Sequence, residues 1–413
     1  MNMKTHTLFI FSLLFFNFSN AQVAPEIKSW IQNLDSMRGY GGLLTNVQKV
    51  QYSSSNVYVS CTCIPGYDIG PWAGNPNTPA NQNFCFKITR TPQKKSGTYT
   101  ATALGHIGVW TNGVSIFNAK DAFSYANKKI WNQNAITVEG PSFDTCLGHP
   151  APNGEYHHHL IPRCLFSYNN PNNHSPIIGY AFDGFPIYGP YGFSDTLGKG
   201  TIKRMQSGYR LRNITQRTTL PNGTILSAAD YGPNVNSTYI LGYYIEDYIY
   251  EKAYGDLDEH NGRFCVTPEY PSGTYAYFVT IDSLKNAAYP YTVGETYYGV
   301  ITSGNIGPGS GHNVPTESVV TYIPSGTSLD ENIDFDAIKI YPNPAKNTLY
   351  FLFNSNFQAS EIVVFNAQGK VVLQKNNSAT SENISLADLQ IGMYQIKITT
   401  TENKIFYSRF IKE

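Results

Sequence analysis

The sequence predicts a mainly β protein: an irregular, disulfide-stapled β domain with long loops, followed by a small β-sandwich. Three observations carry that expectation. Aromatic residues make up 14% of the 413 residues, with 31 tyrosines, and charged residues are also only 14%, a balance that suits pleated, half-buried strands. From Ala24 to about Pro324, short apolar or aromatic runs are cut by Gly, Pro and Asn, and helical periodicity is scarce, the pattern of strands and loops. Six cysteines, all between Cys61 and Cys265, form the even set expected of a disulfide framework in an exported chain.

In chain order, Lys4, the apolar run from Leu8 to Phe18 and the small residues before Gln22 make a secretion signal over residues 1–21. The run is well short of the ~20 apolar residues that cross a bilayer, and no later segment is long and apolar enough. Short helices are expected only over residues 30–34 and 121–130, the second starting near Asp121 as a cap. Thr274 to Ile281 has strand composition, and Asn261-Gly262 before Arg263 is a hairpin-turn signal. Three disulfides are the default, with 15 connectivities open. Cys61 and Cys63 share a face if extended and pair more easily with distant partners, whereas a Cys146–Cys164 bond would staple the histidine-rich stretch between them.

Gly, Ser, Pro and Thr dominate from Ser303 to Asn332, which reads as loop or linker. The boundaries drawn are a β-rich domain over 22–324, a linker over 325–336 and a C-terminal domain over 337–413. In the last, strands are expected at residues 338–340, 349–353, 362–365, 371–373, 393–398 and 405–410, with turns such as Ala367 to Lys370 between them. A sandwich of about seven short strands is the physical reading.

Within it, Tyr341-Pro342-Asn343-Pro344-Ala345, Val364-Phe365-Asn366, Gly369-Lys370-Val371-Val372, Leu389 to Tyr394 and the final Phe410-Ile411-Lys412-Glu413 resemble the type IX secretion system C-terminal sorting domain. The resemblance implies an immunoglobulin-like β-sandwich, read by the type IX machinery during passage across the outer membrane and usually then removed. The mature protein would be released or attached to the cell surface after crossing the periplasm.

The chemistry concentrates between Phe143 and Phe166, where four of the nine histidines fall: His149, His157, His158 and His159. On an extended strand His157 and His159 project to one face about 7 Å apart, while Tyr156 and His158 project to the other. Such a pair grips one metal when further ligands complete the shell, and His149, His174, Asp183, His106 and His260 are the candidates. Neutral imidazoles suit copper or zinc, and no carboxylate cluster lies near in sequence to favour calcium. The alternative for these histidines is satisfaction of backbone groups in a loop-rich domain. Asp183-Gly184 reads first as a turn between aromatic strands. Asp256, Asp258 and Glu259 read as a solvated loop, His106 as a core histidine or distant ligand, and His312 as exposed and idle.

Tyr156-His157-His158-His159 resembles the motif of the YHYH protein family, with His158 where the second tyrosine stands. Cys146-Leu147-Gly148-His149, Gly154, Pro162, Cys164, His174-Ser175-Pro176, Gly179 to Gly189, Asp256 to Phe264 and Tyr270 to Tyr275 extend the resemblance over most of residues 100–285. It implies membership and no particular reaction.

Lysine plus arginine and aspartate plus glutamate are both 29, so no basic field gathers nucleic acid. No Gly-x-Ser-x-Gly elbow surrounds Ser142, Ser167 or Ser175, and no phosphate loop occurs. Glu155 with Asp144 or Asp183 would be the pair for a glycosidase, a chemistry that carboxyl separation decides. The leading expectation is one copper or zinc ion held by His149, His157 and His159, with His174 and Asp183 as further ligands. The competing readings are a non-catalytic adhesin that meets an extracellular polymer or glycan, and an extracellular hydrolase.

Overall fold

A computed structural model of the chain describes residues 23–167, 170–307, 309–324, 338–353, 359–366, 370–376, 381–400 and 405–413. The secretion signal, the linker over 325–336 and the tip of the turn at residues 367–369 lie outside them. Strands take 34% of the residues and helices 7%, so the mainly β class holds. The chain divides into two compact units, the first ending at Ile323 and the second beginning at Pro324.

The first unit is built on two sheets. A four-stranded antiparallel sheet has the order Val320–Tyr322, Val47–Tyr52, Asn56–Cys61, Phe84–Thr89. A mixed eight-stranded sheet runs Gly262–Cys265, Thr274–Phe278, Pro186–Tyr188, Ile177–Ala181, His106–Trp110, Ser115–Phe117, Tyr156–His158, His149–Pro150. Its central strands, Ile177–Ala181 and His106–Trp110, are buried along their whole length, so they read as continuous apolar runs rather than alternating ones. Val57, Val59 and Phe86 from the smaller sheet join Val109, Ile178 and Tyr180 from the larger in one hydrophobic core.

Tyrosine is a core residue here, because its hydroxyl finds a buried partner while the ring fills space. Tyr277 donates to Asp183 at 2.5 Å, Tyr297 to the Ile107 carbonyl at 2.9 Å and Tyr156 to Asp144 at 2.9 Å, and all three tyrosines are fully buried. The aromatic richness of the sequence is thereby spent largely inside the domain.

Several expectations need correction. The first helix is Pro25–Lys28, with proline at its start, where the missing N–H costs nothing; residues 30–34 are not helical. Residues 121–130 form no α-helix either: Lys120–Ser124 pairs antiparallel with Asn132–Asn134, Tyr125–Asn127 makes only a single 3-10 turn, and the α-helix falls at Ala135–Glu139, capped by Asn134, whose side chain accepts from the Ile136 N–H. Asn261 does adopt a positive φ of 65°, but it leads into the strand Gly262–Cys265, and the turn joining that strand to Thr274–Phe278 comes afterwards. The Gly-rich stretch from residue 303 is no linker before Pro324. Asn305 pairs its amide with both the N–H and the carbonyl of Lys87, at 2.9 and 2.6 Å, and Val320–Tyr322 is a sheet strand.

One disulfide forms, Cys146–Cys164, and Cys61, Cys63, Cys85 and Cys265 are free. The pairing register explains part of this. Ser60 lies opposite Cys85, and Cys61 opposite Phe84, so Cys61 and Cys85 project to opposite faces of the same sheet. Cys63 is buried, with its thiol 3.1 Å from the Tyr156 carbonyl.

The second unit is an immunoglobulin-like β-sandwich. One sheet holds Ile338–Tyr341, Thr348–Phe353 and Ser381–Ser385, the other Val371–Asn376, Ala359–Phe365, Gly392–Thr400 and Ile405–Lys412. Leu349, Phe351 and Ile384 from the first meet Ile362, Ile396 and Phe410 from the second in a separate core. Six of the seven strands stand where the apolar runs place them.

Candidate metal centre

Strand Tyr156–His158 runs parallel to Ser115–Phe117 on one side and antiparallel to His149–Pro150 on the other. Alternation puts His157 on one face and Tyr156 and His158 on the other, and the His157 ring stacks on Phe117 at 3.8 Å. Register sets His149 directly opposite His157. His159 follows the strand end and returns to the His157 face, with ring centroids 5.0 Å apart.

Asp144 holds the turn that delivers His149. Its Oδ1 accepts from the N–H groups of Cys146 and Gly148, and its Oδ2 from Gly70 N–H and the Tyr156 hydroxyl, all at 2.8–3.1 Å. Leu147 takes a positive φ of 69° in that turn. Gly148 is required by close approach: a Cβ there would lie 2.5 Å from the Tyr156 hydroxyl and 2.8 Å from His158 Nε2. The Cys146–Cys164 bond closes the loop that contains all three histidines.

The fourth member comes from the short helix Ala135–Glu139. Glu139 Oε2 lies 2.9 Å from His149 Nε2 and 3.2 Å from His159 Nε2, while His149 Nε2 and His157 Nε2 are 3.1 Å apart. Each of the four residues offers one ligand atom, and these atoms all lie within 4.8 Å of one another. A tetrahedral ion with bonds of ~2.0–2.1 Å has ligand–ligand edges of ~3.3 Å, so three of the separations are already near that edge.

The hydrogen-bond network assigns the protons. His157 Nδ1 faces the Glu155 carbonyl at 3.0 Å and His159 Nδ1 the Asn118 carbonyl at 2.5 Å; a carbonyl only accepts, so both Nδ1 atoms carry hydrogen. Ser142 donates its hydroxyl to the Glu139 carbonyl at 2.7 Å and therefore accepts from His149 Nδ1 at 2.8 Å, while the Asn75 amide nearby donates to the Pro150 carbonyl at 3.0 Å. In the neutral rings all three Nε2 atoms are then bare lone pairs aimed at each other and at a carboxylate. His159 Nε2 is buried without a hydrogen-bond partner. Burial, with the neighbouring His159 and His149 as lesser causes, pushes His157 well below the usual imidazole range. Burial also pushes the Glu139 carboxyl up, but the neighbouring His149, His159 and Asp121 outweigh it and hold the group below its ordinary range. Three bare ring nitrogens facing a carboxylate are satisfied by a cation.

Of the five residues expected as ligands, the structure gathers His149, His157 and His159. His174 and Asp183 do not join this group. His174 turns Nδ1 to the Ser175 carbonyl at 2.7 Å and packs against Tyr188 and Phe193. Asp183 closes the turn before Gly184, whose φ is 89°, and accepts from Tyr277 and from the Gly299 N–H at 2.8 Å. His106 pairs with Glu155 at 2.9 Å and His260 with the Thr296 hydroxyl at 2.8 Å. Glu139 escaped the sequence reading because nothing in a five-residue helix ten positions before His149 marks its carboxylate as facing the histidines.

The YHYH protein family model matches residues 85–290, and the model described as a secretion system C-terminal sorting domain matches residues 339–413. No curated protein matches the sequence. Among solved structures, a duf3244 family protein with an immunoglobulin-like β-sandwich fold from Bacteroides vulgatus is 22% identical, covering 19% of this chain and 85% of that one at a TM-score of 0.17. CopC from Methylosinus trichosporium is 11% identical over 18% of this chain and 90% of that one, with a TM-score of 0.15. PorZ, a bacterial surface component of the type IX secretion system of Porphyromonas gingivalis, is 11% identical over 89% of this chain and 59% of that one, with a TM-score of 0.17. None of the three reaches a TM-score at which the likeness carries an argument. No helix among the described residues is long and apolar enough to cross a membrane.

Proposed function

We propose that this chain, a YHYH protein over residues 85–290 with a type IX C-terminal sorting domain over residues 339–413, binds one transition-metal ion through Glu139, His149, His157 and His159. The sorting domain directs it through the type IX secretion machinery to the cell surface. The metal therefore works outside the cell.

The convergence of three lone-pair-bearing Nε2 atoms and one carboxylate within 4.8 Å carries this reading. Each imidazole gives its other ring nitrogen to an oxygen of the protein, the outer-shell arrangement that orients metal-bound histidines. Three nitrogens and one carboxylate oxygen suit zinc or copper, whereas calcium takes 6–8 oxygens.

The test is metal analysis of the purified mature chain after loading with copper or zinc and desalting. One equivalent is expected in the wild type and none in His157→Ala/His159→Ala. A wild type that emerges without metal overturns the reading.

A further inference from the structure

The Gly-rich stretch that closes the first unit takes part in a second constellation, built from other side chains than the metal ligands. His106 opens the central strand His106–Trp110, and its ring meets those of Phe84, Phe86 and Phe182 nearly at right angles, at centroid distances of 5.2, 5.3 and 5.7 Å. This aromatic frame fixes the plane of the imidazole. Its Nδ1 lies 2.9 Å from Glu155 Oε1 and its Nε2 lies 2.9 Å from Ser310 Oγ. The carboxylate oxygen accepts from Nδ1–H, which leaves the Nε2 lone pair to accept from the Ser310 hydroxyl. A hydroxyl, an imidazole and a carboxylate joined in that order are a nucleophile, its base and the group that orients the base.

Each member is held by its own segment. Glu155 is buried and follows a turn in which the Ala151 N–H donates to its carbonyl at 2.9 Å, while its own N–H donates to Asn153 Oδ1 at 3.2 Å. Ser310 comes from a loop 204 residues further along the chain than His106, and that loop is pinned to the strand Phe84–Thr89. The Gly311 carbonyl accepts from the Cys85 N–H at 2.6 Å, and the Cys85 carbonyl accepts from the Asn313 N–H at 3.0 Å. Glycine is required at 311: its φ is 82°, and a Cβ there would lie 2.9 Å from both the Phe84 and the Phe86 ring. Two of the rings that frame His106 thereby also seat the loop that carries its partner.

Space is left beside the pair. Ser310 is half-buried, and a Cβ built on Gly105, Gly307 or Gly309 would meet nothing within 4 Å. Gly105 precedes His106 and Gly309 precedes Ser310, so bare backbone flanks both reacting groups. A shallow surface of this kind gives little binding energy for distorting an amide, and it suits an ester, whose alkoxide leaves more readily than an amine.

We infer that Ser310 is the nucleophile of an ester-cleaving site, with His106 as its general base and Glu155 as the residue that positions His106. The Oγ proton passes to Nε2 as Oγ bonds to the ester carbonyl carbon, and His106 gives that proton to the alkoxide oxygen as the C–O bond breaks. Water then attacks the acyl carbon and yields a proton to Nε2. The carboxylic acid departs as Oγ takes that proton back. No metal ion takes part, so this site and the metal centre stand or fall separately.

The test uses the mature chain freed of metal by a chelator, treated with a fluorophosphonate probe and separately with p-nitrophenyl acetate. The probe should attach to Ser310, located by peptide mass spectrometry, and the ester should be hydrolysed. Ser310→Ala should lose both activities while unfolding at the wild-type temperature. Labelling should slow in heavy water, because a proton moves in that step. Glu155→Gln should slow it by about 100-fold, with the half-saturating probe concentration unchanged. An unlabelled Ser310, ester hydrolysis undiminished in Ser310→Ala, or equal rates in ordinary and heavy water overturns the inference. So does a Glu155→Gln variant that labels at the wild-type rate or changes only the half-saturating concentration.

Discussion

His149 and His157 face each other across an antiparallel pair with their Nε2 atoms 3.1 Å apart, and neither has a proton to offer the other. Two imidazole lone pairs at this distance, with the Glu139 carboxylate 2.9 Å from the first, repel one another until a cation lies between them. The arrangement is held in place by the strand register, by Ser142 and by the Glu155 carbonyl.

Metal should therefore stabilise the fold. At a free zinc or copper concentration 100-fold above Kd, the unfolding free energy of the first unit should rise by about 2.7 kcal/mol, and a chelator should remove the gain. Thermal unfolding with and without the ion measures it. Identical curves at saturating metal would contradict binding to the native state.

Glu139 supplies the only carboxylate in the group. Replacing it with glutamine keeps size and one carbonyl oxygen but removes the charge, so Glu139→Gln should weaken metal affinity by about 10–100-fold. Competition with a chromophoric chelator gives the number. An unchanged affinity would place Glu139 outside the coordination sphere.

The Cys146–Cys164 bond closes an 18-residue separation around His149, His157 and His159. Cys146→Ser/Cys164→Ser should lose about 3 kcal/mol of stability through the freed loop entropy and should bind metal more weakly, because the three ligands are no longer tethered at both ends. Denaturant unfolding and metal titration of the same sample check both parts. A variant as tight as the wild type would show that the sheet register alone positions the site.

His158 sets a pH dependence. It is fully buried on the face opposite His157, its Nδ1 has no hydrogen-bond partner, and the Tyr67 hydroxyl lies 3.5 Å from Nε2. Burial above all, with the nearby His159 and His149, pushes it down from 6.5 to about 3. As pH falls below 6.5 the unfolded chain takes up a proton that the folded chain refuses. The stability contribution is thus full above 6.5 and is lost on the way down to 3, at up to ~1.4 kcal/mol per pH unit. Metal-free protein unfolded by denaturant between pH 7 and 4.5 should show this slope, and His158→Gln should show it reduced by about one proton. Parallel slopes for the two proteins would rule His158 out as the source.

Much of the fold was readable along the chain. The alternation of apolar residues placed six of the seven C-terminal strands, and the seventh, Ser381–Ser385, was missed because only Ile384 within it is a buried apolar residue. Lys120–Ser124 was mistaken for the start of a helix because its pairing partner, Asn132–Asn134, is a run of polar residues with no strand signature. Three disulfides were expected from an even cysteine count, yet only the Cys146–Cys164 pair forms. Cys61 and Cys85, on neighbouring strands, point to opposite faces.

Residue order settles what depends on near neighbours: the β class and the shared face of His157 and His159, while the Cys146–Cys164 staple was one of 15 connectivities left open. Strand alternation is a local property with a period of two, and it is written in the residue order. Only the tertiary structure decided which distant groups meet that face. His149 arrives by antiparallel register and Glu139 by the end of a short capped helix. His174 and Asp183, equally plausible in the sequence, are held elsewhere by their own hydrogen bonds and packing. Coordination needs atoms within a few ångströms, a distance that the path of the backbone through the core sets and linear spacing does not.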